Sequence, residues 1–243
     1  MVIVVNAETG QPNAIMDGTY LTALRTGAAS GVATDLLARP DARTVAIMGA
    51  GAQGRTQLEA VCAVRPIEKV WVLDANPETA AIYVEDMRRR GRPIPEAFSI
   101  ATSSAEALRD ADVICTATTS TRPVFADAEL KPGAHINGIG AYTPEMQEVP
   151  AETVARSRVV IDSRSATLAE AGDLIIPIQQ GMMAADDIHG EIGEVAAGLI
   201  PGRQSAEEIT FFKSVGVAVQ DVAVAGAILR RAAELGLGIE VEL

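Results

Sequence analysis

The chain has 243 residues, 48% of them hydrophobic and 3% aromatic, with a formal net charge of −12. This length buries a sizeable core in one large domain or one and a half, while the acidic balance argues against a nucleic-acid partner, which needs clustered Lys and Arg. Cys62, Cys115, His135 and His189 lack metal-ligand spacing, no run approaches the roughly 20 apolar residues of a membrane helix, and "MVIVVNAETG" has no signal-peptide pattern, so the reading is no metal, no membrane and a cytoplasmic protein with reduced thiols.

In chain order, "VIVVN" predicts a strand, "AETGQP" a turn and "NAIMDG" a second short strand. "TYLTALRTGAASGVATDLLA" has helical periodicity, with Thr19 or Thr22 as its cap. From Thr44 the pattern alternates. "TVAIMGA" predicts a strand, "AQGRTQLEAVCAV" a helix, "KVWVLDAN" a strand and "PETAAIYVEDMRRRG" a helix with Pro in its first turn. Arg88–Arg90 then sit at that helix's C-terminal end, where cations suit the dipole. "EAFSIAT" is a weaker strand, and "SSAEALRDA" a helix capped by Ser103 or Ser104. "DVICTAT", "AHINGIG" and "RVVIDS" are continuously apolar, as in strands covered on both faces. This rhythm predicts an α/β fold with a Rossmann-type doubly wound parallel sheet. The tail, from "EEITFFKS" to "AAELGLG", reads as one long helical pattern that packs back near the first helix.

Between the first strand and helix of this rhythm lies "GAGAQG", with Gly49, Gly51 and Gly54 in G-x-G-x-x-G spacing. The first glycine permits a tight turn, the second lets a pyrophosphate approach the backbone, and the third lets helix and strand pack closely. The helix N-terminus offers N–H groups and a positive dipole end to the anion. Asp74 closes the second strand at the position where a carboxylate would accept from the ribose hydroxyls. It would repel a 2′-phosphate, and no Arg follows it at once, so the pattern favours NAD over NADP.

These residues, together with "MDGTYLTALRTGAAS", "INGIGAYTPEMQE", "DSRSATLAEAGDL", "HGEIGEV" and "TFFKSVGVAVQD", give the chain a likeness that spans nearly its whole length. It resembles the ornithine cyclodeaminase/mu-crystallin family. The resemblance implies a Rossmann domain beside a smaller substrate and dimerisation domain. It further implies hydride transfer between a nicotinamide and the α-carbon of an amino acid or its imine, and a homodimer. On that basis residues 1–42 belong to the smaller domain, 43–202 to the NAD-binding domain, and 203–243 to a C-terminal helical segment packed on the smaller domain. The resemblance also implies a further segment of the smaller domain, with a substrate-contacting lysine, ahead of Met1, so that the smaller domain is truncated here.

Matched residue by residue, Arg25 falls at the position near the substrate carboxylate and the cofactor, and Thr26 beside it. A guanidinium suits bidentate carboxylate binding. Ala52 and Gln53 match the pyrophosphate turn. Thr116 and Thr118 match cofactor contacts at a strand's C-terminal end, Gly138, Ile139 and Gly140 the segment beside the nicotinamide, and Lys213 and Ser214 a cofactor-proximal motif. Tyr142 stands where cyclodeaminases and alanine dehydrogenases carry an acid–base Asp, and Met146 where cyclodeaminases carry a lysine. A phenol with a reference pKa near 10 donates a proton but is a poor base at neutral pH. The implied function is an NAD-dependent oxidoreductase of the ketimine, pyrroline-2-carboxylate or alanine dehydrogenase type. Ornithine cyclodeamination and a non-catalytic NAD(P)H-binding role are the alternatives.

Overall fold

The apolar runs become strands and the periodic segments become helices, with one exchange near the C-terminus. A computed structural model describes residues 1–241. Contacts divide the chain into two units, Met1–Arg25 with Val217–Leu243, and Thr26–Gly216.

In the smaller unit, strand β1 (Val2–Val5) pairs antiparallel with β2 (Pro12–Met16), with Val2 opposite Met16. Alternation along both strands leaves Ile3, Val5 and Ile15 at least half exposed. Helix α1 (Gly18–Leu37) starts here and continues into the larger unit. Asp17, not Thr19 or Thr22, caps it: its Oδ1 accepts from Thr19 N at 2.9 Å. The helix begins at Gly18, which places both threonines inside it.

The larger unit follows as β3 (Thr44–Met48), α2 (Ala52–Val64), β4 (Lys69–Leu73), α3 (Pro77–Arg90) and β5 (Ala97–Ile100). Next come α4 (Ser104–Leu108), β6 (Val113–Thr116), β7 (His135–Gly138), α5 (Ala151–Arg156), β8 (Arg158–Ile161), α6 (Arg164–Glu170) and α7 (Gly172–Gln179). The unit closes with β9 (Gly190–Glu191), α8 (Ile192–Ala196) and β10 (Thr210–Lys213). Ser103 caps α4 by accepting from Glu106 N. The strands pair in the order β5-β4-β3-β6-β7-β10-β8-β9, every pair parallel. Chain order reverses between β3 and β6, which opens the crevice at the carboxyl edge where α/β folds bind ligands.

Both faces of the sheet are buried, as the continuous apolar runs require. Val45 and Ile47 of β3 pack with Leu58 and Val61 of α2 and Tyr83 and Met87 of α3. Ala46 and Met48 point to the opposite face, with Ile114, Ile136 and Phe211. The rear of α1 is seated by Ala33 and Leu37 against Val160, Val195 and Phe212.

The exchange concerns "TFFK". Its apolar residues continue a helical period, yet Thr210–Lys213 is a fully buried central strand between β7 and β8. Helix α9 is confined to Ala218–Leu235. β10 joins the sheet and the rear of α1 packs on it, and both fall in the unit Thr26–Gly216. Residues 242–243 of the expected C-terminal segment lie outside the described residues.

Candidate functional site

The chain turns from β3 into α2 through three glycines, two of them required by sterics. Gly49 has φ +98°, and a Cβ there would lie 2.5 Å from Ala117 O. A Cβ on Gly54 would lie 2.3 Å from Gly49 O, so only glycine lets α2 approach the turn. Gly51 is different: a Cβ there would meet nothing within 4 Å. Its backbone therefore faces open space, as a turn that must admit a ligand would. Gly51 is also the N-cap of α2 and supplies no side-chain acceptor, so the first N–H groups, near Ala52 and Gln53, lack a side-chain cap. Gln53 Oε1 is buried without a hydrogen-bond partner.

Three side chains brace this turn. Asp74, just past β4, accepts from Ala50 N through Oδ2 at 2.8 Å and from Asn76 N through Oδ1 at 2.9 Å. Arg55 Nη1 donates to Ala50 O and Gly51 O, both at 3.0 Å, while its Nη2 pairs with Asp86. Tyr83 donates its hydroxyl to Gly54 O at 2.8 Å. Arg55 and Tyr83 escape motif reading, although an Arg directly after the last glycine is a visible signal. The turn opens on a cleft of about 940 Å³, lined by Gly49, Gly51, Asp74 and Thr118 among the expected residues, with Thr102 and Ser120.

Further along the carboxyl edge, beyond β6 and β7, the expected residues meet one that sequence reading overlooks. Glu148 is fully buried. Its Oε2 accepts from Thr116 Oγ1 at 3.0 Å, Gly140 N at 2.6 Å and Ala141 N at 3.1 Å, and its Oε1 accepts from Thr118 N at 2.6 Å. The Thr116 hydroxyl is thus directed at Glu148. A Cβ on Gly140 would lie 2.1 Å from Thr118 O, so the two strand-end loops touch there. Ile139 is buried beside them.

Below Glu148, Asp173 Oδ1 accepts from Glu148 N at 2.7 Å and Val149 N at 3.0 Å. Asp173 Oδ2 is 3.2 Å from Lys213 Nζ, and both side chains are wholly buried. Lys213 Nζ also donates to Gly138 O at 3.1 Å. Burial first, and then the charge of Asp173, raise the Glu148 carboxyl above its ordinary range, against the opposing pull of Lys213. Ser214 donates to Asp162 Oδ2 at 2.8 Å, which also accepts from Val215 N and Gly216 N. Four carboxylates, Asp74, Glu148, Asp162 and Asp173, therefore accept backbone N–H groups from loops here.

Arg25 lies in the smaller unit, where its Nε is 3.3 Å from Asp221 Oδ1 and its Nη1 donates to Gln220 Oε1 at 3.2 Å, both on α9. Thr26, the next residue, is buried in the larger unit. Tyr142 is 57% exposed, and Met146 is buried. Among the described residues, no group of three or more His, Cys, Asp or Glu could hold a metal ion. His135 instead sits in the core, with Nδ1 2.9 Å from Thr210 Oγ1 and Nε2 3.1 Å from Asn137 Oδ1.

Comparison with known proteins adds independent findings. The model of the ornithine cyclodeaminase/mu-crystallin family matches residues 1–235. A Δ1-pyrroline-2-carboxylate reductase of Bacillus cereus is 43% identical over 244 residues, covering 100% of this chain and 74% of that protein. The structure of Thermococcus litoralis Δ1-pyrroline-2-carboxylate reductase in complex with NADH and L-proline matches with a TM-score of 0.94 and 42% identity, over 98% of this chain and 73% of that one. An archaeal alanine dehydrogenase dimer with bound NAD matches with a TM-score of 0.90 and 38% identity, over 99% of this chain and 73% of that one. On the family match along nearly its full length, and on relatives well above 30% identity, this chain belongs to the ornithine cyclodeaminase/mu-crystallin family.

Proposed function

We propose that this chain is an NAD(H)-dependent oxidoreductase that reduces a small cyclic imino acid, in the manner of a Δ1-pyrroline-2-carboxylate reductase. The observation that carries the reading is the open, side-chain-free approach at Gly51, beside the uncapped start of α2 and the Asp74 carboxylate, all on one cleft. These groups fit a dinucleotide. The α2 N–H groups suit a pyrophosphate, and the Asp74 oxygens keep lone pairs for ribose hydroxyls. When bound, the dinucleotide supplies the hydride.

The chain's own residues hold and orient. The loops after β6 and β7, with Thr118 and Gly138–Gly140, receive the nicotinamide half, and Arg25 takes the substrate carboxylate through its planar fork. Hydride transfer needs donor and acceptor held face to face, so positioning carries much of the rate. Tyr142 offers a hydroxyl as proton donor. Reduction of an imine needs only that donor, whereas cyclodeamination also needs a base, and positions 142 and 146 hold a phenol and a thioether.

The exposed Ile3, Val5 and Ile15 of the hairpin support self-association as a homodimer. Cys62 and Cys115 are both free and buried, in keeping with a cytoplasmic protein. Among the described residues no helix is long and apolar enough to cross a membrane.

The test is to follow NADH oxidation with Δ1-pyrroline-2-carboxylate, and ammonia release from ornithine, side by side. The reductase reading predicts the first and not the second. Ammonia release without imine reduction would replace it with a cyclodeaminase. NADH binding with no turnover of any imine would replace it with a binding protein.

A further inference from the structure

Glu148 is an unusual acid. It is fully buried, it is not in the cleft lining, and its carboxylate accepts four donors while no donation from it is needed. Three of the four donors are backbone N–H groups, and they come from two different loops. Thr116 ends β6 and Thr118 follows it, and Gly140 and Ala141 follow β7. Both loops lie on the same side of the switch point, away from β4 and Asp74. In a doubly wound sheet that side receives the second nucleotide half, while the side of β4 receives the first.

Glu148 is itself held in place. Its own N–H and that of Val149 are tied to Asp173 Oδ1, and Lys213 joins Asp173 to Gly138 O at the end of β7. Gly172 fits beneath this arrangement because a Cβ there would lie 2.0 Å from Met146 O. The chain Lys213–Asp173–Glu148 therefore runs from β10 to the two loops. A carboxylate built this way fixes loop shape without touching a ligand.

We infer that Glu148, as the carboxylate, is a positioning residue that holds the loops after β6 and β7 in the shape that receives the nicotinamide half of the dinucleotide. The inference rests on the dinucleotide reading above, and it makes a distinction that reading does not. Disturbing Glu148 should weaken whatever occupies the β6–β7 side and spare whatever is held by Gly49–Gly54 and Asp74. Glu148→Gln keeps the shape, but its amide nitrogen must face at least one N–H donor, so one charge-assisted bond is lost and a repulsion replaces it.

The experiment compares equilibrium binding of NADH with that of ADP-ribose, which lacks the nicotinamide, to the unmodified chain and to Glu148→Gln. The expected result is a loss of about 10-fold or more in NADH affinity with ADP-ribose unchanged. Thr116→Val, which removes only the hydroxyl donated to Oε2, should shift NADH in the same direction by less, and it covers the case in which Glu148→Gln does not fold. Equal losses for both probes, or no loss for either, would overturn the proposal while leaving the dinucleotide reading intact. An unmodified chain that binds neither probe would overturn the dinucleotide reading, and the proposal with it.

Discussion

Replacing Asp74 by Ser should narrow the preference of this chain for NADH over NADPH. Asp74 is only partly buried, and its two oxygens already receive Ala50 N at 2.8 Å and Asn76 N at 2.9 Å. Each oxygen has a second lone pair, so the carboxylate can still accept from both ribose hydroxyls. A hydrogen bond to a charged group contributes about 1.5–3 kcal/mol, which makes the loss for NADH about 10- to 100-fold in affinity. For NADPH the sign reverses. Two unit charges of one sign at about 4 Å repel by about 4 kcal/mol at an effective dielectric near 20, and solvent at a partly exposed site reduces that figure. The unmodified chain should therefore favour NADH by about 100-fold, and Asp74→Ser by less than about 10-fold. Serine retains a short oxygen for Ala50 N, and Asp74→Asn serves as a control that keeps an acceptor for the turn without the charge. Trp71 is the only tryptophan and lies on β4, three residues before Asp74, so its emission transferred to a reduced nicotinamide gives a clean titration. Superimposed NADH and NADPH curves in the unmodified chain, or an unchanged ratio in Asp74→Ser, would refute the reasoning.

Arg25→Ala should lower kcat/KM for the imino acid by about 30-fold or more, with Arg25→Lys recovering only part because it keeps the charge and loses the fork; unchanged steady-state kinetics would remove Arg25 from the account. Burial, with Arg203 adding to it, pushes His135 down to about 3 from 6.5. Between those values the unfolded chain holds the proton and the folded chain does not, so stability rises with pH by up to about 1.4 kcal/mol per unit across that window. Urea titrations at stepped pH should show this slope in the unmodified chain and a shallower one in His135→Asn. Ile15 is 64% exposed on the hairpin, and Ile15→Glu should shift a dimer toward monomer by light scattering. An unmodified chain that is already monomeric at high concentration would count against self-association.

Local sterics made the glycine turn readable. Gly54 answers a close approach within the strand–turn–helix itself, Gly49 a positive φ in the turn, and Gly51 leaves the turn open, while α2 occupies the residues that its periodicity marks. Asp74 was readable for a related reason, since the end of the second strand is a fixed place in this topology. What it does for Ala50 N was not, because a bond to a backbone N–H leaves no trace in the identity of its partner. Glu148 shows the same limit more strongly. Its partners are spread from Thr116 to Ala141 and are mostly backbone, so nothing in "TPEMQE" marks it as buried. The burial of Lys213 was hidden by composition. A lysine after two phenylalanines suits a helix surface, and only the pairing of β10 with both β7 and β8 shows why its stem and charge are buried. A central strand late in the chain cannot be told from helix by apolar period alone.

The most direct test of the central claim follows the hydride itself. The chain is incubated with NADH carrying deuterium at the transferable position of the nicotinamide and with Δ1-pyrroline-2-carboxylate, and the product is analysed by mass spectrometry. The account predicts proline with one deuterium on its α-carbon, formed one for one with NADH consumed. Unlabelled proline, or NADH that binds and remains unconsumed, would contradict it.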